Sequence, residues 1–247
     1  MRQMFVRSVA VVLTASTVLA ACTINAIAPN EETTTNDVYP YLNDYDREDE
    51  IVVNGLRLRF AAGMNEVRKL YWVAVVGEAT RALSATPHVL EELSGLPVYV
   101  GPKRRDLPGE CDSIVLGGCA FKNKAGAILG IYLVDDDLER VNDPNQWPQY
   151  GLYDVRVTLH ELGHIHSWLN GRLERFRAAV DGTRYPLPDQ YGRRSRSEEY
   201  AQLFMFWALD PRIVLQWEGI GGPRTVFFSA EFQTPPSEPA PTETPEL

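Results

Sequence analysis

Asp154-Val155-Arg156-Val157-Thr158-Leu159-His160-Glu161-Leu162-Gly163-His164-Ile165-His166-Ser167-Trp168-Leu169 reads as one helix, and Asn170-Gly171 behind it is a good C-terminal stop. Upstream, residues 65–83 read as a helix with apolar side chains on more than one face, and 88–93 as a short helix. Residues 97–100, 114–116 and 127–134 are β-like and separated by Gly-rich turns. Downstream, 174–180 and 197–209 read as helices, stopped at Asp181-Gly182 and Asp210-Pro211. Helix, then strands, then helices predicts an α+β fold.

The chain has 247 residues, 45% hydrophobic and 23% charged, an ordinary globular composition. A net charge of −9 carries no broad basic field for phosphates, so general nucleic-acid binding is disfavoured. No long apolar run follows the N-terminus, which excludes a multi-span membrane protein.

Residues 1–21 fit a secretory signal: Arg2 and Arg7, an apolar run over 9–19, then Leu19-Ala20-Ala21-Cys22. That ending resembles a bacterial lipobox, which implies lipidation of Cys22 and a mature net charge near −11 once Arg2 and Arg7 are removed. The expected location is the outer face of a bacterial cytoplasmic membrane, or the outer membrane where a host has two, since Thr23 rather than Asp follows the cysteine. In such an oxidising compartment Cys111 and Cys119 are expected to form a disulfide. Residues 22–50, with an acidic cluster over 44–50, read as a tether. Residues 233–247, with five prolines, read as an extended, disordered tail. The folded body is then 51–232.

His160-Glu161-Leu162-Gly163-His164 matches H-E-x-x-H. Positions i and i+4 share a helical face, so both imidazoles can meet one metal ion, with zinc expected. Glu161, one step round, can take a proton from a water whose pKa the zinc lowers to about 7. A catalytic zinc wants a third protein ligand. His166 lies on the far side of the helix and reads as a surface or supporting residue. His88 is isolated and reads as a cap or packing residue. Glu198 and Glu199 open a second helix and both are candidates. Ser195 three residues before Glu198 also allows a capping box, and Glu199 a solvated first-turn acid. Asp135-Asp136-Asp137 read as solvated acids rather than a calcium site. Leu203, Phe204, Phe206 and Trp207 read as core.

Tyr191-Gly192-Arg193-Arg194-Ser195-Arg196-Ser197-Glu198-Glu199-Tyr200-Ala201-Gln202-Leu203-Phe204 resembles a segment of the gluzincin zinc peptidases typified by the catalytic domain of anthrax lethal factor, which also carry H-E-x-G-H upstream. The likeness covers about residues 152–210. It implies a zincin-like fold: a small, mostly antiparallel sheet, an active-site helix and a helical C-terminal lobe. It implies zinc held by His160, His164 and Glu198, Glu161 as general base, and Tyr191 as hydrogen-bond donor to the developing oxyanion. Tyr200 replaces a Phe of that pattern. Gln202 replaces an acid, so no role needing charge is expected there. Such enzymes hold a peptide or protein substrate along an edge strand; 127–134 is the candidate, its other reading being a central core strand. The function expected is peptide-bond hydrolysis by a membrane-anchored metallopeptidase. The rivals are a zinc-dependent cell-wall amidase and a non-catalytic zinc-containing binding lipoprotein.

Overall fold

The computed structural model describes residues 42, 45, 50–102, 117–135, 147–183 and 191–233. The signal segment, Cys22, Cys111, residues 114–116, Asp136, Asp137 and the tail beyond 233 lie outside the described residues.

Asn54-Gly55 turns β1 (Ile51–Val53) back on β2 (Leu56–Phe60), both turn residues having positive φ (47° and 93°), as a tight two-residue hairpin needs. Helix α1 (Glu66–Ala82) follows, its first turn capped by the Asn65 side chain accepting from Arg68 N–H. Short α2 (Pro87–Glu92) begins on a proline. The chain then returns as β3 (Pro97–Gly101), parallel to β2. β4 (Gly118–Lys122) and β5 (Ile128–Val134) form an antiparallel pair. Helix α3 (Trp147–Trp168) starts seven residues before the sequence expectation. It ends where Asn170 and Gly171 turn left-handed. α4 (Arg172–Ala179), α5 (Arg196–Leu209), α6 (Pro211–Glu218) and α7 (Pro223–Phe232) complete the chain.

The strand order is β1-β2-β3-β5-β4. β2–β3 and β3–β5 are parallel, β1–β2 and β4–β5 antiparallel, so the sheet is mixed rather than mostly antiparallel. The α+β class holds, with α1 and α2 between β2 and β3 and the other described helices after the sheet. β5 lies between β3 and β4 and has no free edge. The expectation of 127–134 as an edge strand is therefore corrected; the edge beside α3 is β4.

Alternation divides the sheet into two faces. Leu58, Val98, Val100, Ala120, Ile131 and Leu133 join the main core with residues of α1, α3 and α5. Leu159, Leu162 and Ile165 of α3 are fully buried there, each contributing about 1.5–3 kcal/mol. Tyr99, Cys119, Phe121 and Tyr132 occupy the other face. Leu42 and Tyr45, from the stretch expected to be a tether, pack on it. The Tyr45 hydroxyl donates to the Tyr132 hydroxyl at 2.7 Å. Glu50 pairs with Arg57 and Arg59, each at 2.7 Å. Cys119 is disulfide-bonded to a partner outside the described residues. Asp135 is buried and ion-paired to Arg68, not solvated as expected. Among the described residues no helix is long and apolar enough to cross a membrane.

Candidate metal centre

His160 and His164 project from one face of α3, and Glu198 meets them from the first turn of α5. The two Nε2 atoms are 3.1 Å apart, and Glu198 Oε2 lies 3.0 Å from His160 Nε2 and 3.4 Å from His164 Nε2. All three donor atoms fall within 4.8 Å of one another. This is the trio expected from sequence.

The sequence allows this approach through a glycine. A Cβ on Gly163 would stand 2.9 Å from Ala201 Cα and 3.0 Å from its carbonyl oxygen, so the α3 and α5 backbones meet there without a side chain between them. Ser195 caps α5 by accepting from Glu198 N–H at 3.1 Å, while the Glu198 side chain goes to the histidines instead of folding back to the cap. The capping signal and a place in the trio are therefore compatible, through different atoms of Glu198.

Gln202, one turn beyond Glu198, sets the tautomer of His160. Its Oε1 lies 2.8 Å from His160 Nδ1 and can only accept, so Nδ1 carries a proton and Nε2 is the ring atom turned to Glu198. Ser197 Oγ sits 3.1 Å from His164 Nδ1. His160 Nε2, His164 Nε2 and Glu198 Oε2 thus crowd one point, a group that could hold a metal ion. His/His/carboxylate with the far imidazole nitrogens occupied suits a zinc ion. Burial alone would raise the Glu198 carboxyl, but the hydrogen-bonded imidazoles outweigh it and hold it down to about 2. Burial lowers His160, yet Glu198 and Glu161 together leave it raised.

Glu161 faces β4. Burial pushes its carboxyl up, against the opposing pull of His160 and His164, and the Ala120 backbone N–H donates to it. A buried carboxylate with a raised pKa is a competent proton acceptor. Gly118 makes the room: a Cβ there would stand 2.7 Å from Val157 Cγ1 and 2.9 Å from Glu161 Cγ. Val134 N–H bonds to Gly117 O, so by antiparallel alternation the polar groups of Gly118 and Ala120 point away from β5, to the edge of β4 that pairs with no other strand among the described residues.

The remaining candidates fall elsewhere. Glu199 is buried in an ion cluster with Arg196 and Arg224; Arg224 also pairs with Glu218 at 2.7 Å. Glu199 is thus neither a ligand nor solvated. His166 is on the far side of α3 as expected but fully buried, not at the surface. Its Nδ1 lies 2.8 Å from the Tyr200 hydroxyl, with Phe204 and Phe232 packed around the ring. His88 packs with Nε2 2.9 Å from the Glu231 carbonyl. Leu203 and Phe204 are buried in the core, and Phe206 and Trp207 pack against it. The Tyr191–Arg193 3-10 turn packs against α5, but the Tyr191 side chain lies outside the described residues.

Sequence reasoning passed over Ala120, Ser197 and the orienting role of Gln202. The last was findable: Gln202 is four residues beyond Glu198, on the same helical face. No protein-family model matches the chain, and neither a curated protein nor a solved structure matches it.

Proposed function

We propose that this chain is a zinc-dependent peptidase of gluzincin type, exported and held at a membrane through a lipid on Cys22. The observation that carries the reading is the convergence of His160, His164 and Glu198 beside a buried Glu161 that accepts from the edge strand. A zinc ion in that trio would supply a Lewis acid.

The chain's own residues then do the following. The outward N–H and C=O of Gly118 and the C=O of Ala120 hold an extended peptide by main-chain hydrogen bonds. Glu161 takes the proton of the attacking water and returns it to the leaving amine nitrogen. Ala120 N–H fixes one Glu161 oxygen and so aims the other. Gln202 and Ser197 hold the imidazoles so that both Nε2 atoms stay turned inward. Tyr191 donates to the developing oxyanion, a contribution typically about 10²–10³ in rate.

The test is cleavage of a mixed peptide library by the purified chain, with its zinc content measured alongside. Wild type should hold one zinc per chain and cut. Glu161→Gln should hold the same zinc and not cut. Loss of zinc together with activity in that variant would show that Glu161 is not the base.

A further inference from the structure

The two imidazoles of the trio are held unequally. Gln202 Oε1 can only accept, so it fixes His160 through Nδ1. His164 Nδ1 faces Ser197 Oγ at 3.1 Å, and a hydroxyl that can donate or accept imposes no tautomer. His164 is instead packed between rings of its own helix face. His160 stands edge-on to it, centroids 4.8 Å apart at 85°. Trp168, four residues on, lies tilted at 32° against it, centroids 6.3 Å apart. A long helical side chain leans back over the residue four before it, which brings the indole to His164. Trp168 is also the last residue of α3, just before the chain turns at Asn170 and Gly171. The indole packs partly buried against the main core. Lys122 reaches it from the end of β4, its ammonium 4.0 Å from the ring centroid, a cation–π contact. Gly118 and Lys122 share a strand face by alternation, and Gly118 lies against Val157 and Glu161 of the same helix. One end of the edge strand therefore bears, through one indole, on a member of the trio.

We propose, resting on the zinc reading of the trio, that Trp168 is a positioning residue for His164 and that Lys122 pins the indole in place. The sign of the Lys122 effect separates this from simple charge. An ammonium close to a cation site repels the ion, so on charge alone its removal would tighten zinc binding. Pinning predicts the opposite. Without the cation–π contact the indole is freer to swing, the imidazole is less firmly oriented, and zinc is held less well.

The experiment measures metal binding rather than turnover. The full chain is titrated with zinc against a chelating competitor, and separately with cobalt(II), whose visible absorption reports ligand geometry. Trp168→Leu should weaken zinc binding by about tenfold and shift the cobalt spectrum. Trp168→Phe keeps a ring beside His164 and should restore most of the affinity. Lys122→Met should weaken zinc binding by about two- to fivefold. Lys122→Arg keeps a cation over the indole and should match wild type. Thermal unfolding of the metal-free chains separates a lost fold from a disturbed ligand. Should Trp168→Leu fail to fold, the Lys122→Met and Lys122→Arg pair decides. Unchanged zinc affinity with an unchanged cobalt spectrum in Trp168→Leu would overturn the positioning role. Equal or tighter zinc binding in Lys122→Met would overturn the pinning. Wild type that binds zinc in this way yet cuts no peptide would count against the peptidase reading alone.

Discussion

Gly163 and Ala201 are the point at which α3 and α5 touch backbone to backbone, a Cβ on Gly163 reaching 2.9 Å from Ala201 Cα. The contact lies one residue from His164 and three from Glu198, so helix spacing here is also the spacing of the ligand trio. Gly163→Ala should destabilise the fold by about 1–3 kcal/mol through overpacking. It should also weaken zinc binding, because Glu198 moves away from both imidazoles. Thermal unfolding and a competitive zinc titration check the two effects, and unchanged zinc affinity would mean that the contact does not set the trio.

Glu198 and Glu199 are adjacent and should fail differently. Glu198→Ala removes a ligand and should cut zinc affinity by well over tenfold with a modest effect on the metal-free fold. Glu199→Ala leaves the buried Arg224 short of a counter-charge and should cost about 3–5 kcal/mol of stability. Zinc affinity measured on whatever fraction stays folded should hold. A reversed pattern would exchange their roles.

Gln202→Leu should lower zinc affinity by about 10–100-fold, the usual consequence of removing the partner that orients a ligating imidazole. Gln202→Glu should restore it, since a carboxylate accepts from His160 Nδ1–H as well as an amide oxygen does. Isothermal titration of the two variants decides this. Equal affinity in Gln202→Leu and wild type would show that the 2.8 Å contact orients nothing.

His166 titrates well below its ordinary value. Burial is the main cause, with Arg172, His88 and Arg175 adding to it, and the Glu92 carboxylate 3.8 Å away does not offset them. The folded state therefore keeps the ring neutral where the unfolded chain already binds a proton. Stability from this residue is fully present above about pH 6.5 and falls as pH drops below it, by at most about 1.4 kcal/mol per pH unit. His166→Phe should be less stable at pH 7, having lost the Tyr200 contact, but flatter between pH 6.5 and 5. Denaturant unfolding of both chains across that range tests the sign.

The long helix and the histidine pair were legible because their signals are local: H-E-x-x-H needs only the helical repeat. Local pattern left Glu198 and Glu199 equally open as third ligand, and it was the gluzincin resemblance that pointed to Glu198. The hairpin at Asn54-Gly55 was equally local but was passed over beside the acidic cluster. Asp210-Pro211 was read as a stop alone. Asp210 also caps α6 by accepting from Arg212 N–H, and Pro211 occupies its first turn. What sequence could not supply was strand order. Whether 127–134 was an edge or a centre depended on where β4 paired, which local pattern does not encode. His166 likewise pointed away from the ligands as its spacing required. That it meets a buried Tyr200 instead of water depends on α5 and α7 closing over it.

Leu42 and Tyr45 lie on the back of the sheet, opposite the helices, and this sets a length. With a lipid on Cys22, the leash runs 20 positions to Leu42, the first described residue packed on the sheet. Whatever conformation it takes, it spans no more than about 70 Å, against about 100 Å had the body begun at residue 51. The catalytic body would then patrol a layer one or two protein diameters deep above the bilayer. Because the leash is fastened behind the sheet, the helical side bearing the trio is not the side tied down. On the proposed reading its targets would be neighbours: chains fixed in the same membrane, or passing through the layer just above it.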